Sequence, residues 1–166
     1  MSTIASTSIS HRYSPLHLSV IGGLILGMFH LIIQSWFVFS ILQKNPFVSV
    51  LQYVASGAMG NAAFTGGPAT ALLGLVLDFL MTTIIAGVFI LSADRIPLLR
   101  KHVIPGSLLY GFGVFVVTNF IVLPLSAAPP LPAPPMWLFI EIILEHILLM
   151  GLPLGLLVRW NNNTNQ

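Results

Sequence analysis

Four long apolar stretches dominate the pattern of hydrophobic and polar positions along the chain. They cover roughly Leu16–Leu42, Ala69–Ala93, Val103–Leu125 and Met136–Val158. Each is long enough to cross a bilayer as a helix, which requires about 20 apolar residues. None shows the strict alternation of a membrane barrel strand. The pattern therefore predicts an all-α membrane protein with four transmembrane helices.

The composition indicates the same class of protein. The chain has 166 residues, of which 56% are hydrophobic and 6% are charged, and it has no cysteine. A soluble domain carries about 25% charged residues, because water must wet its surface. We therefore expect the lipid bilayer to be the solvent for most of this surface. A single domain should cover residues 16–160, with flexible tails at residues 1–15 and 161–166.

The basic residues predict how the four spans are oriented. With four crossings, both termini and the loop at residues 94–102 lie on one side of the membrane. That side carries five of the six basic residues, namely Arg12, Arg95, Arg100, Lys101 and Arg159, and the other side carries Lys44. The positive-inside rule then places both termini in the cytoplasm. Because the basic residues are scattered, we expect no nucleic-acid partner.

The connection between the first two spans is too apolar for an ordinary loop and too short to cross and return. It reads PFVSVLQYVASGAMGNAAFTGG, and Ser49, Gln52, Ser56 and Gly60 recur at spacings of three and four residues. A helix here would carry one stripe of polar or small residues. Two interpretations stay open: a short interfacial helix, or a re-entrant segment that dips into the bundle. We prefer a surface helix that shields the bundle.

Small residues and a proline predict how the spans pack. Gly23 with Gly27, and Gly151 with Gly155, form small-xxx-small pairs that let membrane helices approach closely. Such pairs serve either packing inside the bundle or contacts with a second copy. Pro153 lies inside the last span, and its ring displaces the hydrogen bond to the carbonyl four residues earlier. We therefore expect a kink in that span.

Seven polar side chains lie inside the otherwise apolar spans, at similar depths. At a rise of 1.5 Å per residue, they lie about 7–18 Å below the outer ends of their spans. They are His30, Gln34, Asp78, Asn119, Glu141, Glu145 and His146. His30 and Gln34 share a helix face, as do Glu141 and Glu145, whereas His146 is rotated about a quarter turn from Glu145. Because such groups are costly in lipid, we expect them to form one polar layer.

Three interpretations of this layer stay open. The first is a structural lock, in which protonated or histidine-paired carboxyl groups hold the register of the helices. The second is a path for protons or a cation, because intramembrane carboxylates and histidines form such relays. The third is a site for a divalent cation such as Zn, Mn or Fe, with His30, Asp78 and Glu145 as candidate ligands, joined by Glu141 or His146. The sequence contains neither HExxH nor a paired ExxH motif.

Common catalytic motifs do not occur in the sequence. It contains no GxSxG elbow, no Walker A loop and no dinucleotide-binding GxGxxG. We therefore expect a non-enzymatic membrane protein without catalytic residues, acting as an accessory or stress-related component. The alternatives are a small proton or cation carrier and a membrane metal-binding protein. A bundle of this size encloses little volume, so a carrier would work as a homo-oligomer or in a larger membrane complex.

Three segments of the sequence resemble a known group of proteins. They are Ala55–Leu77, Asn119–Ser126 and Glu145–Trp160. As a set, they resemble small bacterial inner-membrane proteins of the YagU-like kind, a group without a settled biochemical role. The resemblance implies four spans and a bacterial inner membrane. In that group we expect a histidine where this chain has Asp78, and His146 matches a second histidine of the group. The exchange of histidine for Asp78 keeps a residue that can bind a metal or a proton, but it does not keep a site made of two histidines.

Overall fold

The computed structural model of the chain describes residues 13–42, 46–130 and 134–162, and these residues form helices without any strand. The prediction of four membrane-spanning helices with a shorter helix between the first two is confirmed. In chain order the helices are α1 (Pro15–Leu42), α2 (Pro46–Met59), α3 (Gly67–Arg95), α4 (Pro97–Lys101), α5 (Val103–Leu125) and α6 (Met136–Asn162). A short 3₁₀ turn at Gly60–Phe64 separates α2 from α3.

Proline and glycine mark the places where helices begin. Gly67 adopts φ +58 at the start of α3, a left-handed conformation that costs glycine little, and Pro68 follows it in the first turn. At the other end of α3, Ile96 is extended with φ −103 and ψ 105. The residue before a proline disfavours the helical region, so Pro97 ends α3 and begins α4. These local rules set the lengths of the spans.

The bundle consists of two helix pairs, α1 with α3 and α5 with α6, and both glycine pairs lie inside it. A methyl group at Gly23 would overlap the backbone of Thr83 on α3, and one at Gly151 would overlap the Ser107 carbonyl on α5. The second glycine of each pair, Gly27 or Gly155, faces the same partner helix. Of the two interpretations of these glycines, packing inside the bundle therefore applies.

Buried apolar side chains form two clusters, whereas many large apolar side chains face outward. The larger cluster joins all four spans and contains Leu18, Leu26, Phe89, Ile90, Val114, Leu154 and Val158 among others. The smaller cluster joins α1, α2 and α3 and contains Leu31, Val50, Leu51 and Ala71. On the outer faces of the spans, leucines such as Leu72 and Leu109 are largely exposed. An exposed apolar surface of this extent suits lipid as solvent.

The short helix α2 packs against the bundle with a mixed face, in which Val50, Leu51 and Ala55 are buried beside Ser56 of the polar stripe. Ser56 is fully buried, and Gln52 donates a hydrogen bond to the Gly67 carbonyl at 3.4 Å. Phe47 and Met59 are exposed instead. This orientation is the reverse of an interfacial helix that turns its polar face toward water. The structure thus agrees with a helix that covers the bundle, and the covering face combines apolar side chains with part of the polar stripe.

Glycine lets the backbone of α2 approach α3 closely. A methyl group at Gly74 would overlap the Leu51 carbonyl, so no larger residue fits there without moving α2. Gly74 lies seven residues into α3, or about 10 Å from its start at the usual helical rise. The far end of α2 is tied to the segment after α5, because the Ala127 N–H donates to the Gly57 carbonyl at 2.9 Å.

The first and last described residues meet at one end of the bundle, which we call the terminal end. The Tyr13 N–H donates to the Asn161 side-chain oxygen at 3.0 Å, and the Asn161 amide donates back to the Tyr13 carbonyl at 3.4 Å. The Tyr13 ring also stacks on Trp160, with centroids 5.7 Å apart. The sequence predicts flexible tails at residues 1–15 and 161–166, which would include Tyr13 and Asn161. Both belong to the packed bundle, and α6 continues to Asn162.

Candidate functional site

A histidine and an aspartate form the first polar contact between spans. His30 Nδ1 of α1 lies 2.7 Å from Asp78 Oδ1 of α3. The Asp78 side chain is 4% exposed and that of His30 is 20% exposed. One turn earlier on α1, Gly27 packs against the Phe79 ring, which brings the two helices close enough for the contact. With His30 protonated and Asp78 ionised, the two groups form an ion pair without net charge.

The second polar contact lies one turn further along α1 and reaches α6. Gln34 donates from Nε2 to Glu145 Oε2 at 3.3 Å, which is a long hydrogen bond. His30 and Gln34 are four residues apart, so one face of α1 serves both contacts. The structure thus brings four of the seven residues together in two pairs, His30 with Asp78 and Gln34 with Glu145.

Each carboxyl group of the two pairs keeps one buried oxygen without a hydrogen-bond partner. These atoms are Asp78 Oδ2 and Glu145 Oε1. An unsatisfied buried acceptor costs about 1–3 kcal/mol, so both oxygens are sites where a proton or a donor would stabilise the protein. The pairs differ in charge balance. His30 can offset the charge of Asp78, but the neutral Gln34 cannot offset an ionised Glu145.

The other three predicted residues do not join the two pairs through hydrogen bonds. The Asn119 amide donates to the Phe115 carbonyl of its own helix at 3.0 Å. His146 is buried, its Nδ1 lies 2.8 Å from the Ile142 carbonyl, and its ring meets the Phe115 ring edge-on. Glu141 is half-buried and lines a groove beside Glu145. Asn119 and His146 are thus satisfied within the α5–α6 pair rather than in the layer.

Two π-helical turns interrupt α5 and α6, and the sequence analysis did not predict them. They span Thr118–Val122 and His146–Gly151, and a proline follows each of them two residues later, Pro124 or Pro153. A proline ring clashes with the carbonyl four residues earlier, and a wider turn relieves that clash. The kink expected at Pro153 therefore corresponds to a π turn in α6. The Leu-Pro dipeptide that occurs in both helices is the feature of the sequence from which these π turns could have been predicted.

The metal interpretation requires three ligands, and the structure brings together fewer. Within residues 13–42, 46–130 and 134–162, no group of three or more histidine and carboxylate side chains has the spacing of a metal site. His30 and Asp78 meet directly, whereas the hydrogen bond of Glu145 comes from Gln34. Glu141 and His146, the further candidates, do not complete a cluster. The polar side chains of the layer that contact one another across spans therefore do so in pairs and not as a set of three ligands.

A third polar contact between spans was missed from sequence. The Tyr110 hydroxyl of α5 donates to the Ile85 carbonyl of α3 at 2.7 Å. Its ring packs against Phe89, with centroids 5.1 Å apart. A tyrosine in an apolar span needs a hydrogen-bond partner for its hydroxyl. The presence of Tyr110 within the third span could therefore have predicted a polar contact there.

Comparisons of the chain with protein-family models, with curated proteins and with solved structures find no match. The site is therefore interpreted from its own geometry. In this site, one polar contact joins α1 to α3 and a second polar contact joins α1 to α6.

Proposed function

We propose that this chain is a non-enzymatic integral membrane protein whose polar layer locks the arrangement of its helices, and that it acts as an accessory or stress-related component. The observation that carries the proposal is the pair of contacts that join one face of α1 to two other spans, at 2.7 Å and 3.3 Å. A lock requires groups on different helices that satisfy one another, and His30 with Asp78 meets that requirement.

The energetics favour specificity over large stabilisation. Hydrogen bonds between membrane helices contribute about 0.6 kcal/mol on average and up to about 1.7 kcal/mol. Sliding or rotating α1 by one residue would separate both contacts at once, leaving buried polar groups unpaired in an apolar environment. The layer therefore penalises wrong registers more than it stabilises the correct one. The packed glycines at Gly23 and Gly151 add a steric limit to the same movement.

We place the protein in a bacterial inner membrane with both termini in the cytoplasm. The orientation is supported by Arg95, Arg100, Lys101 and Arg159, which belong to the loop and the terminus at the terminal end. The bacterial inner membrane is supported by the resemblance to the YagU-like group. The bilayer is the immediate partner, and an accessory role implies a homo-oligomer or a larger membrane complex.

A double-mutant cycle tests the lock. The variants are His30→Phe, Asp78→Leu and the double variant, with unfolding of detergent-purified protein followed by circular dichroism in increasing dodecyl sulfate. We expect a coupling free energy of about 0.6–1.7 kcal/mol between the two positions. Asn119→Ala is the matched control, because its amide bonds within its own helix. Additive effects of His30 and Asp78, or an equal effect of Asn119→Ala, would refute the lock.

Proton or cation transport is a second candidate function, supported by one observation. Asp78 Oδ2 and Glu145 Oε1 are buried oxygens without partners, and such groups can take up a proton or a cation. The test is the decay of a pH gradient in proteoliposomes, read with an entrapped dye. Transport predicts a decay that Asp78→Asn and Glu145→Gln abolish without lowering the unfolding midpoint. A decay equal to that of empty liposomes would eliminate this candidate.

A further inference from the structure

A groove opens on the outer surface of the bundle between α1 and α6. Its volume is about 460 Å³, within the usual range of small-molecule sites. On α1 it is lined by Ile32 and Trp36, and on α6 by Leu144 and Leu148. These four side chains are all largely exposed, so the groove opens sideways, toward the lipid.

The packing of the helices explains why the groove exists. In this half of the bundle α1 packs against α2 and α3, whereas Met136–Glu145 of α6 packs against α5. The two helices that line the groove are thus held by different neighbours. They meet at the hydrogen bond between Gln34 and Glu145 and, toward the terminal end, in the larger core cluster. The groove follows from the fold rather than from one side-chain conformation.

The walls of the groove are apolar except for two acidic side chains. Of the described side chains that line it, only Glu141 and Glu145 are ionisable. They lie five and nine residues after Met136, or about 7 and 13 Å along α6 from its start. This depth is below the region of lipid headgroups, because the hydrocarbon core is about 30 Å thick. A ligand that matches these walls must carry hydrocarbon and a positive charge together.

Glu145 has incomplete hydrogen bonding at the wall of the groove. Its residue is 6% exposed, and it lines the groove. One carboxyl oxygen accepts the long hydrogen bond from Gln34, and the other, Oε1, is buried without a hydrogen-bond partner. The carboxyl group must turn this oxygen toward the groove to accept from an ammonium N–H, and the ligand then offsets the charge that the neutral Gln34 leaves unbalanced. The indole of Trp36 in the same groove offers a face that attracts cations.

We propose that the groove between α1 and α6 binds a small hydrophobic amine, with its ammonium group at Glu145 and its apolar body against Trp36, Leu144 and Leu148. The ligand enters from the bilayer, where hydrophobic amines accumulate. We favour a small amine over an aminolipid, because the headgroup of a lipid lies near the interface and Glu145 lies well below it. This site shares Glu145 with the Gln34 contact of the proposed lock but contains neither His30 nor Asp78.

The test is direct binding of naphthylethylamine to the purified protein in dodecyl maltoside at neutral pH, measured by equilibrium dialysis against empty micelles. We expect saturable binding of one amine per chain. The neutral analogue naphthylethanol should bind about tenfold more weakly or worse, which corresponds to about 1.4 kcal/mol. Naphthylethyl-trimethylammonium, which has no N–H to donate, should bind with intermediate affinity. Equal binding of the amine and the alcohol, or no saturable binding, would overturn the proposal.

Two variants and two controls locate the site. Glu145→Gln removes the charge, and Leu148→Trp fills the groove from a lipid-facing position, so we expect each to weaken amine binding about tenfold or more. Asp94→Asn removes a carboxylate in the last turn of α3, at the terminal end of the bundle, and Leu72→Trp adds the same bulk to a lipid-facing position on α3. Neither change should affect binding. Unchanged binding in Leu148→Trp would place the amine elsewhere and refute the site, even if Glu145→Gln does not fold.

Native mass spectrometry distinguishes the source of the ammonium group. Protein extracted into dodecyl maltoside should carry no tightly held phosphatidylethanolamine, and added phosphatidylethanolamine should not displace naphthylethylamine. Displacement by this lipid would make the occupant an aminolipid and overturn the proposal of a small amine. Because the double-mutant cycle at His30 and Asp78 measures unfolding, failure of the lock and failure of the groove give different results.

Discussion

The close approach of α5 and α6 at Gly111 makes a quantitative prediction about packing. A methyl group at Gly111 would overlap the carbonyl of His146 and would lie 3.0 Å from Ile147 Cα and 3.1 Å from Gly151 N. All three obstacles are backbone atoms of the π turn, which cannot rotate away as a side chain can. Two residues further along the same helix, a methyl group at Gly113 would meet nothing within 4 Å. Gly111→Ala and Gly113→Ala are therefore the same chemical change with opposite steric outcomes.

The magnitude follows from two terms. Replacing glycine by alanine inside a helix gains up to about 1 kcal/mol at either position. Overpacking a well-packed contact costs about 1–3 kcal/mol, and only Gly111→Ala incurs it. We expect the unfolding free energies of the two variants to differ by about 1–3 kcal/mol, with Gly113→Ala the more stable. At about 2–4 °C per kcal/mol for a chain of this length, the melting midpoints should differ by about 2–12 °C.

Thermal unfolding in dodecyl maltoside, followed by far-ultraviolet circular dichroism, measures this difference. Both variants should keep the helical content of the wild type before the transition, because α5 itself is not interrupted. A midpoint for Gly111→Ala equal to or above that of Gly113→Ala would refute the packing of α5 on α6 at this contact. A loss of helix in Gly113→Ala would instead refute its outward position.

Two further predictions concern the ends of the bundle. Asn161→Ala removes both hydrogen bonds with the Tyr13 backbone, so it should lower the unfolding free energy by about 1–3 kcal/mol. The control variant Asn162→Ala should leave the unfolding free energy unchanged. Equal midpoints of the two variants in thermal unfolding would contradict the contact. Gly74→Ala should push α2 away from α3, because its methyl group would overlap the Leu51 carbonyl. Hydrogen exchange should then accelerate in α2 but not in α5 or α6, and unchanged exchange in α2 would show that this contact is not tight.

The sequence located the helices well, because hydrophobic length is a local property. The third span agrees in both bounds with α5, and the other three differ by at most four residues at either end. The helix between the first two spans was expected from its composition and spacing. Its orientation was not, because the same stripe of small and polar residues suits water on one side or a closely packed helix on the other.

The candidate site was only partly predictable. His30, Gln34, Asp78 and Glu145 were placed in one layer from their depths, and they form the two contacts between spans. Asn119 lies at a similar depth but bonds within its own helix. Depth depends only on position along a helix, whereas the choice of partner depends on the rotation of that helix and on its neighbours.

The sequence by itself determined that the chain is a helical membrane protein, where its spans lie, and which side chains are too polar for lipid to surround. These properties depend on length and composition, and each span can be assessed alone. Only the tertiary structure decided which faces meet, that α6 widens into a π turn before Pro153, and that a groove separates α1 from the first half of α6. The physical reason is that the spans are apolar on nearly every face. Hydrophobicity therefore carries little information about rotation, and the faces are chosen by close backbone contacts at glycines and by a few polar pairs.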